Sequence, residues 1–479
     1  MSRINTNVPA VIAQRHLSVS QRALAISLER LSSGLRINRG ADDPAGLIVS
    51  ERLRSEISAV GQAIDNSLRA INVIATTEGA LDEVSALLTD IQALVVEGAN
   101  KGVLSEEEID ANQLQIDSAI ESISRIANTS TFAGRKLLDG SLDYVLSGVQ
   151  ISRLSDVQVL AASFGTRAFI PVNVNVTQSA QHGQLLFAGA GLSANGGVSI
   201  DVFGPDGIIT LTFPGSARSV DIVNAINAES DATGIRAIAS GTTPAASGFR
   251  IETIEFGSDA FVQVKPIGTG SFVLRNAAGQ IDDRDEGRDA GATINGVAAN
   301  GDGLKLTLNS HLLDLEVILN QTFATGQSSF AITSGGSLFQ LGPQVNTNLQ
   351  ENIGVRAIHA NKLGNNTIGF LSDLLSGQRY DLKSENFKEA SDIISEAITQ
   401  VAVLRGRLGA FERNTLQTNI NQLQITRENL TSSESIIRDT DFAVETSELT
   451  RAQILVQAGT SILTIANAQN QNVLTLLGQ

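Results

Sequence analysis

The sequence predicts an α+β multidomain chain: a long antiparallel helical coiled-coil bundle drawn from both termini, with a mainly-β or α+β outer module inserted between them. Three observations carry this. Six of the eight prolines lie between Pro171 and Pro343, and residues 173–345 hold 24 of the 43 glycines and ten of the 17 phenylalanines. Because Pro and Gly interrupt long helices, the flanks can be helical and the middle cannot. The flanks carry apolar residues at a 3.5-residue period, while the middle alternates around turn sequences.

In chain order, Ala10, Ala13, Leu17, Leu24, Leu28, Leu31 and Leu35 form a loose apolar stripe. Asp43 suits an N-cap and Pro44 a first helical residue, since Pro lacks the N–H that would be orphaned there. Leu53, Ile57, Val60, Ile64, Ile71, Ile74, Leu81, Leu88 and Val95 then share one heptad register. Asn100-Lys101-Gly102 stops that helix, and Ser105 to Glu108 form a capping box that opens another. Its inner face is Ile109, Ile116, Ala119, Ile123 and Ile126.

The middle contains "GVSIDVFGPDGIITLTF", two alternating runs about a Gly-Pro-Asp-Gly turn, which reads as a hairpin. "GFRIETIEFGSDAFVQVKPI" and "GLKLTLN" are further strands, and "SVDIVNAINAES" is a short amphipathic helix. A long helix is expected from about 385 to 437. Its seam is Phe387, Ala390, Ile394, Ala397, Val401, Leu404, Leu408 and Phe411, continuing more weakly through Thr415, Thr418, Ile425 and Ile436. Leu449, Ala452, Val456, Gly459, Leu463, Ala466, Asn470, Val473 and Leu477 form a last seam without a miss, made to pack against another helix. Asn470 is a candidate register-setting residue within it.

Composition narrows the function. The net charge of −16 disfavours binding to phosphate backbones, so no nucleic-acid partner is expected. There is no cysteine, hence no disulfide or thiolate metal site. No apolar run reaches the roughly 18–20 residues of a membrane span, and the first residues lack the apolar core of a cleaved secretory signal. His16, His182, His311 and His359 are scattered, and no His-Glu-x-x-His, phosphate loop or nucleophile elbow occurs. "GAGLSA" (189–194) lacks a βαβ context, and "DDRDEGRD" (282–289) reads as a solvated loop rather than a calcium site. No enzyme activity, metal or cofactor is expected.

"SSGLRINRGADDPAGLIVSERLRSEI" (32–57), "TTEGALDEV" (76–84), "TSTFAGRKLLDG" (129–140) and the last 29 residues resemble the terminal signatures of bacterial flagellins. The resemblance covers roughly 1–150 and 350–479. It implies a subunit that polymerises into the flagellar filament, with 1–42 and 439–479 as terminal polymerisation segments. It also implies 43–172 and 346–438 as a helical rod and 173–345 as an outer module. The last seam would pair with the N-terminal stripe and with neighbouring subunits. Implied partners are other copies of the chain, an export chaperone, and the filament cap and hook-associated proteins. Implied localisation is extracellular, in the filament, after export without a cleaved signal.

"SARSVDIVNAINAESDATGIRAIAS" and "GATINGVAANGDG" resemble insert motifs shared by some flagellins and hook-associated proteins, so a hook–filament junction protein is the alternative, and adhesion through the insert a further one. In flagellins recognised by the innate immune receptor, which this stretch resembles, an Arg stands four positions before a Leu-Ala-Val stretch. Here Asp90 takes the Arg position and Leu94 is kept. The charge reversal implies weak receptor recognition.

Overall fold

The computed structural model describes residues 6–100, 102–165, 167–188, 197–239, 248–267, 272–310 and 312–477, with side chains as far as Gln469. The seam positions Asn470, Val473 and Leu477 therefore lie outside the residues whose side chains are described, as do His311 and the 189–194 segment. Two compact units divide the chain. One comprises 1–70, 340–345 and 413–479, and the other 71–339 and 346–412.

The first unit is helical. Helix α1 (Val8–Ser33) ends on Gly34, whose φ of 72° is the left-handed conformation a helix C-terminus favours. Helix α2 (Pro44–Gly98) begins where the Asp43 carboxylate accepts from the Gly46 N–H at 2.9 Å. Its first part belongs to this unit, with α7 (Thr418–Arg438) and α8 (Phe442–Leu477). Asn419 fixes the α2–α7 register by donating to the Ser67 hydroxyl (3.2 Å) and the Leu341 carbonyl (2.8 Å), and Arg438 pairs with Glu51 at 2.7 Å.

The second unit holds the rest of α2, then α3 (Glu106–Thr129), α4 (Ser219–Ala228), the four-residue α5 (Ser230–Thr233) and α6 (Phe387–Ala410). The Ser105 capping box is present in both directions. Ile74, Leu81, Val84, Leu88, Ile91 and Val95 on α2, Ile116, Ile120 and Ile123 on α3, and Ile394, Ala397 and Val401 on α6 are all buried. Arg405 pairs with Asp82 at 3.0 Å, and Gln113 uses its whole amide, donating to Leu374 O and accepting from Leu382 N.

The β-structure is wider than residues 173–345. A ten-stranded sheet takes Tyr144–Ser147 and Leu154–Ala162 from before that segment and Gln350–Ile353 from after it. Its order runs from Ser337–Gln340 through Gln350–Ile353, Leu154–Ala162, Leu313–Leu319 and Lys305–Asn309. It continues through Val297–Asp302, Gly291–Ile294, Ile170–Gln178 and Gly326–Gly335 to Tyr144–Ser147. The sheet curls around one apolar core that includes Val172, Val174, Leu306, Leu315 and Ile332. Tyr144, at one edge, reaches the other side: its hydroxyl donates to Asn352 O (3.2 Å) and accepts from Ala162 N (2.9 Å). Burial pushes this phenol well above its ordinary pKa, so it remains a donor. A Cβ on Gly354 would sit 2.7 Å from the Tyr144 ring, which is why glycine stands there.

A second module is nested in this sheet. Gln178 and Gly291 are register partners on adjacent strands, so the chain leaves and re-enters the sheet at one place. Between them lie two four-stranded sheets and α4 around their own core, which contains Phe249, Ile251, Ile200, Val264 and Ile222. The first is ordered Leu274–Asn276, Gln184–Phe187, Phe249–Thr253, Ile235–Ala239. The second is ordered Arg284–Glu286, Phe261–Ile267, Val198–Phe203, Ile208–Phe213. Asp289 ties module to sheet, accepting from Ser258 N (2.9 Å), Ser258 Oγ (2.6 Å) and Gly303 N (2.9 Å).

Candidate assembly surface

Helices α1 and α8 pack antiparallel. Asn7 donates to Ala466 O at 3.0 Å, Gly459 lies against Leu17, and Arg30 meets Glu445 at 3.5 Å. On α8 the less exposed positions are Glu445, Leu449, Ala452, Val456, Gly459, Leu463 and Ala466. Small residues (Ala452, Gly459, Ala466) alternate with large ones (Leu449, Val456, Leu463), which lets the backbones approach closely while the large side chains fill the gaps. A Cβ on Gly459 would stand 3.3 Å from Leu17 Cδ1, so the two helices are in close contact at that glycine.

The α1 side follows the same rule at Ala10, Ala13, Leu17, Ser20, Leu24, Ser27 and Leu31. Leu28 does not belong to this face. It is 51% exposed, and Ser27 is buried in its place. The reason is register: 17, 20, 24, 27 and 31 step by three and four, and 28 falls one residue outside. Ser20 satisfies its hydroxyl by donating to His16 O at 3.0 Å. Leu35 lies beyond the helix in an antiparallel bridge with Asp439, flanked by Arg36 N–H to Arg438 O (2.7 Å) and Thr440 N–H to Gly34 O (3.0 Å). The two connecting segments thus hold each other.

With that face occupied, α1 and α8 still expose aliphatic side chains. Val11 (61%), Val19 (56%), Ile454 (62%), Ile462 (57%) and Ile465 (67%) stand in solvent on helices already paired with each other. Full burial of one such side chain stabilises by about 1.5–3 kcal/mol. Exposed aliphatic side chains on both members of one helix pair make this pair the candidate assembly surface.

In the helical rod, Val60, Ile64, Leu81 and Leu88 are buried, while Leu53, Ile57 and Ile71 are half-buried. Val84 and Ile91, absent from the sequence register, complete the α2 seam. On α6, Ile394, Val401, Leu404 and Leu408 are buried, and Phe387 and Phe411 are half-buried. Past Phe411 the expected register does not continue: Thr418 is exposed, and Ile425 (56%) and Ile436 (79%) stand in solvent. Residues Phe411–Gln417 form a π-helix. Its wider turns advance the inner face by one residue, so Leu416, Ile420 and Leu423 are buried instead. Asp90 is exposed and Leu94 half-buried on α2. Among the described residues no His, Asp or Glu cluster suits a metal ion, and no helix is long and apolar enough to cross a membrane.

This arrangement defines a class: a structural subunit whose paired terminal helices carry an unfilled apolar surface and whose middle carries β modules. Residues 4–143 match the bacterial flagellin N-terminal helical region, and residues 391–477 match the bacterial flagellin C-terminal helical region. A flagellin of Salmonella choleraesuis (strain SC-B67) is 30% identical, with 99% of each chain covered. Flagellin A of Helicobacter pylori (strain ATCC 700392 / 26695) is 27% identical over the same shares. Among solved structures, FliC from Burkholderia pseudomallei covers 73% of this chain and 99% of its own at 15% identity, with a TM-score of 0.24. The chain belongs to the bacterial flagellin family, the structural subunits of the flagellar filament.

Proposed function

We propose that this chain polymerises through α1 and α8, and that the rod seams of α2, α3, α6 and α7 give each subunit its stiffness. The exposed aliphatic surface left on the paired terminal helices carries this reading. Its aliphatic side chains are arranged along helices and gain by burial, so a neighbouring subunit's helices fit it. Head-to-tail contacts that do not close produce a helical filament. The β modules are then the displayed surface, which is where adhesion would reside. Export precedes assembly, with a chaperone covering the α8 surface and cap and hook-associated proteins bounding the polymer.

Electron microscopy of purified full-length chain after addition of short filament seeds tests the proposal. Long regular filaments are expected. Short plugs or soluble monomers, where a control flagellin polymerises, would favour a hook–filament junction role.

We also propose weak recognition by the innate immune receptor. Asp90 presents a carboxylate where a receptor pocket built for a guanidinium would leave its acceptors unpaired. A receptor reporter-cell assay is expected to show greatly reduced potency for this chain, and restored potency for Asp90→Arg. Full potency of the unmodified chain would overturn the reading.

A further inference from the structure

The unpaired cations of the α1–α8 pair stand at one end of it and the exposed carboxylates at the other. From residue 6 to residue 28 the chain has two arginines, Arg15 and Arg22, and no carboxylate. Both are exposed on the side of α1 turned away from α8, and among the described residues neither has a hydrogen bond or an ion pair. The part of α8 beside them supplies no partner. Leu17 lies against Gly459 and Arg30 meets Glu445, so Arg22 and Arg15 are level with residues of roughly 453–460. From Ala452 to Gln479 there is no charged residue.

At the other end, Asp441 caps α8 through Oδ1, which accepts from Ala443 N (2.9 Å) and Val444 N (3.2 Å). Glu448 is exposed and meets only Arg451, three residues on along its own helix, at 2.9 Å. An exposed pair of that kind is weak and leaves the carboxylate available to a second cation. Arg15 and Arg22 are seven residues apart, and so are Asp441 and Glu448, about 10.5 Å along a helix in both cases. Down α1, Arg22, Val19, Arg15, Ile12 and Val8 step by three, four, three and four. Up α8, Asp441, Val444, Glu448, Arg451 and Leu455 take the same steps, and every one of these residues on both helices is exposed.

We propose that Arg22 and Arg15 of one copy pair with Asp441 and Glu448 of the next, the two copies lying in the same orientation. Arg22 then meets Asp441 in place of the residues level with it in its own copy, which staggers the copies by about a dozen residues, or about 18 Å along the helix. Val19 meets Val444 and Val8 meets Leu455, so aliphatic side chains left in solvent are buried beside the ion pairs. At the remaining position Arg451 lays its aliphatic stem over Ile12. Each copy offers α1 to one neighbour and α8 to the other, so the contact is head-to-tail and propagates instead of closing. This inference rests on the reading that α1 and α8 drive polymerisation, and names the side chains that meet.

Charge reversal tests the pairing and its register together. Full-length chains are elongated from short wild-type seeds at low ionic strength and followed by light scattering; after the first added copies, growth is variant upon variant. Arg15→Glu and Glu448→Arg are each expected to slow elongation about tenfold, and the double variant Arg15→Glu/Glu448→Arg to return to within about twofold of wild type. The out-of-register combination Arg22→Glu/Glu448→Arg is expected to stay slow. Wild-type growth by Arg15→Glu, a double variant no faster than the single ones, or equal rescue of Arg22→Glu by Glu448→Arg would overturn the proposal. Electron microscopy of the wild-type chain separates the two readings: filaments beside a failed rescue discard this pairing alone, and absence of filaments discards the assembly reading with it.

Discussion

A chain truncated after Glu448 is expected to form no filaments while its β modules and the rod segments 71–129 and 387–410 stay folded. The truncation removes all of the α8 seam from Leu449 onward and leaves Ala13, Leu17, Leu24 and Leu31 of α1 without cover. An isolated helix of this length is marginal in water, because nucleation costs more than its few hydrogen bonds return. The loss therefore includes the helicity of α1 as well as that of α8. It also removes Ile454, Leu455, Ile462 and Ile465, the aliphatic surface available to a neighbour.

Circular dichroism should show helix loss confined to the terminal segments, and sedimentation should show monomer with or without seeds. Filaments from the truncated chain would remove α8 from the assembly mechanism. Gly459→Leu gives a graded version of the same test. Its Cβ alone would press on Leu17, so the two helices must separate or shift and seeding should weaken without unfolding the rest.

How much of this was legible in the sequence depends on the range of the interactions. Helix starts were, because Asp43-Pro44 and Ser105-Glu108 cap through residues three apart. The α8 seam from Leu449 to Ala466 also was, since its small residues are still apolar. The facing seam was only half legible: at Ser20 and Ser27 close approach selects a small side chain, and a search for leucines picks Leu28 instead. The π-helix at 411–417 has no composition signal, so a register extrapolated through it selects Thr415, Thr418, Ile425 and Ile436 where the structure buries Leu416, Ile420 and Leu423.

Non-local pairing was the least visible. The hairpin around Gly204–Gly207 was readable as a local alternation. The nesting was not, because it rests on Gln178 meeting Gly291 far along the chain. Leu154–Ala162 was missed for another reason. It is covered to some degree on both faces, so its residues do not alternate cleanly between apolar and polar.

That nesting carries a second large effect. Phe249→Ala should unfold the nested module and leave the helical units and filament formation intact. Phe249 is fully buried, and it stacks on Phe187 with ring centroids 4.9 Å apart; Phe187 stacks in turn on Phe272, also at 4.9 Å. Truncating a buried Phe costs about 3–5 kcal/mol. For a module of roughly a hundred residues this lowers the melting temperature by about 12 °C or more. Little of that cost can spread, because the module's core is separate from that of the ten-stranded sheet and the chain connects the two at a single pair of strands. Calorimetry should therefore show one transition falling while the others hold. A common shift of all transitions would mean that the module and the sheet unfold as one body, and that the displayed module cannot be altered independently of the arms that assemble.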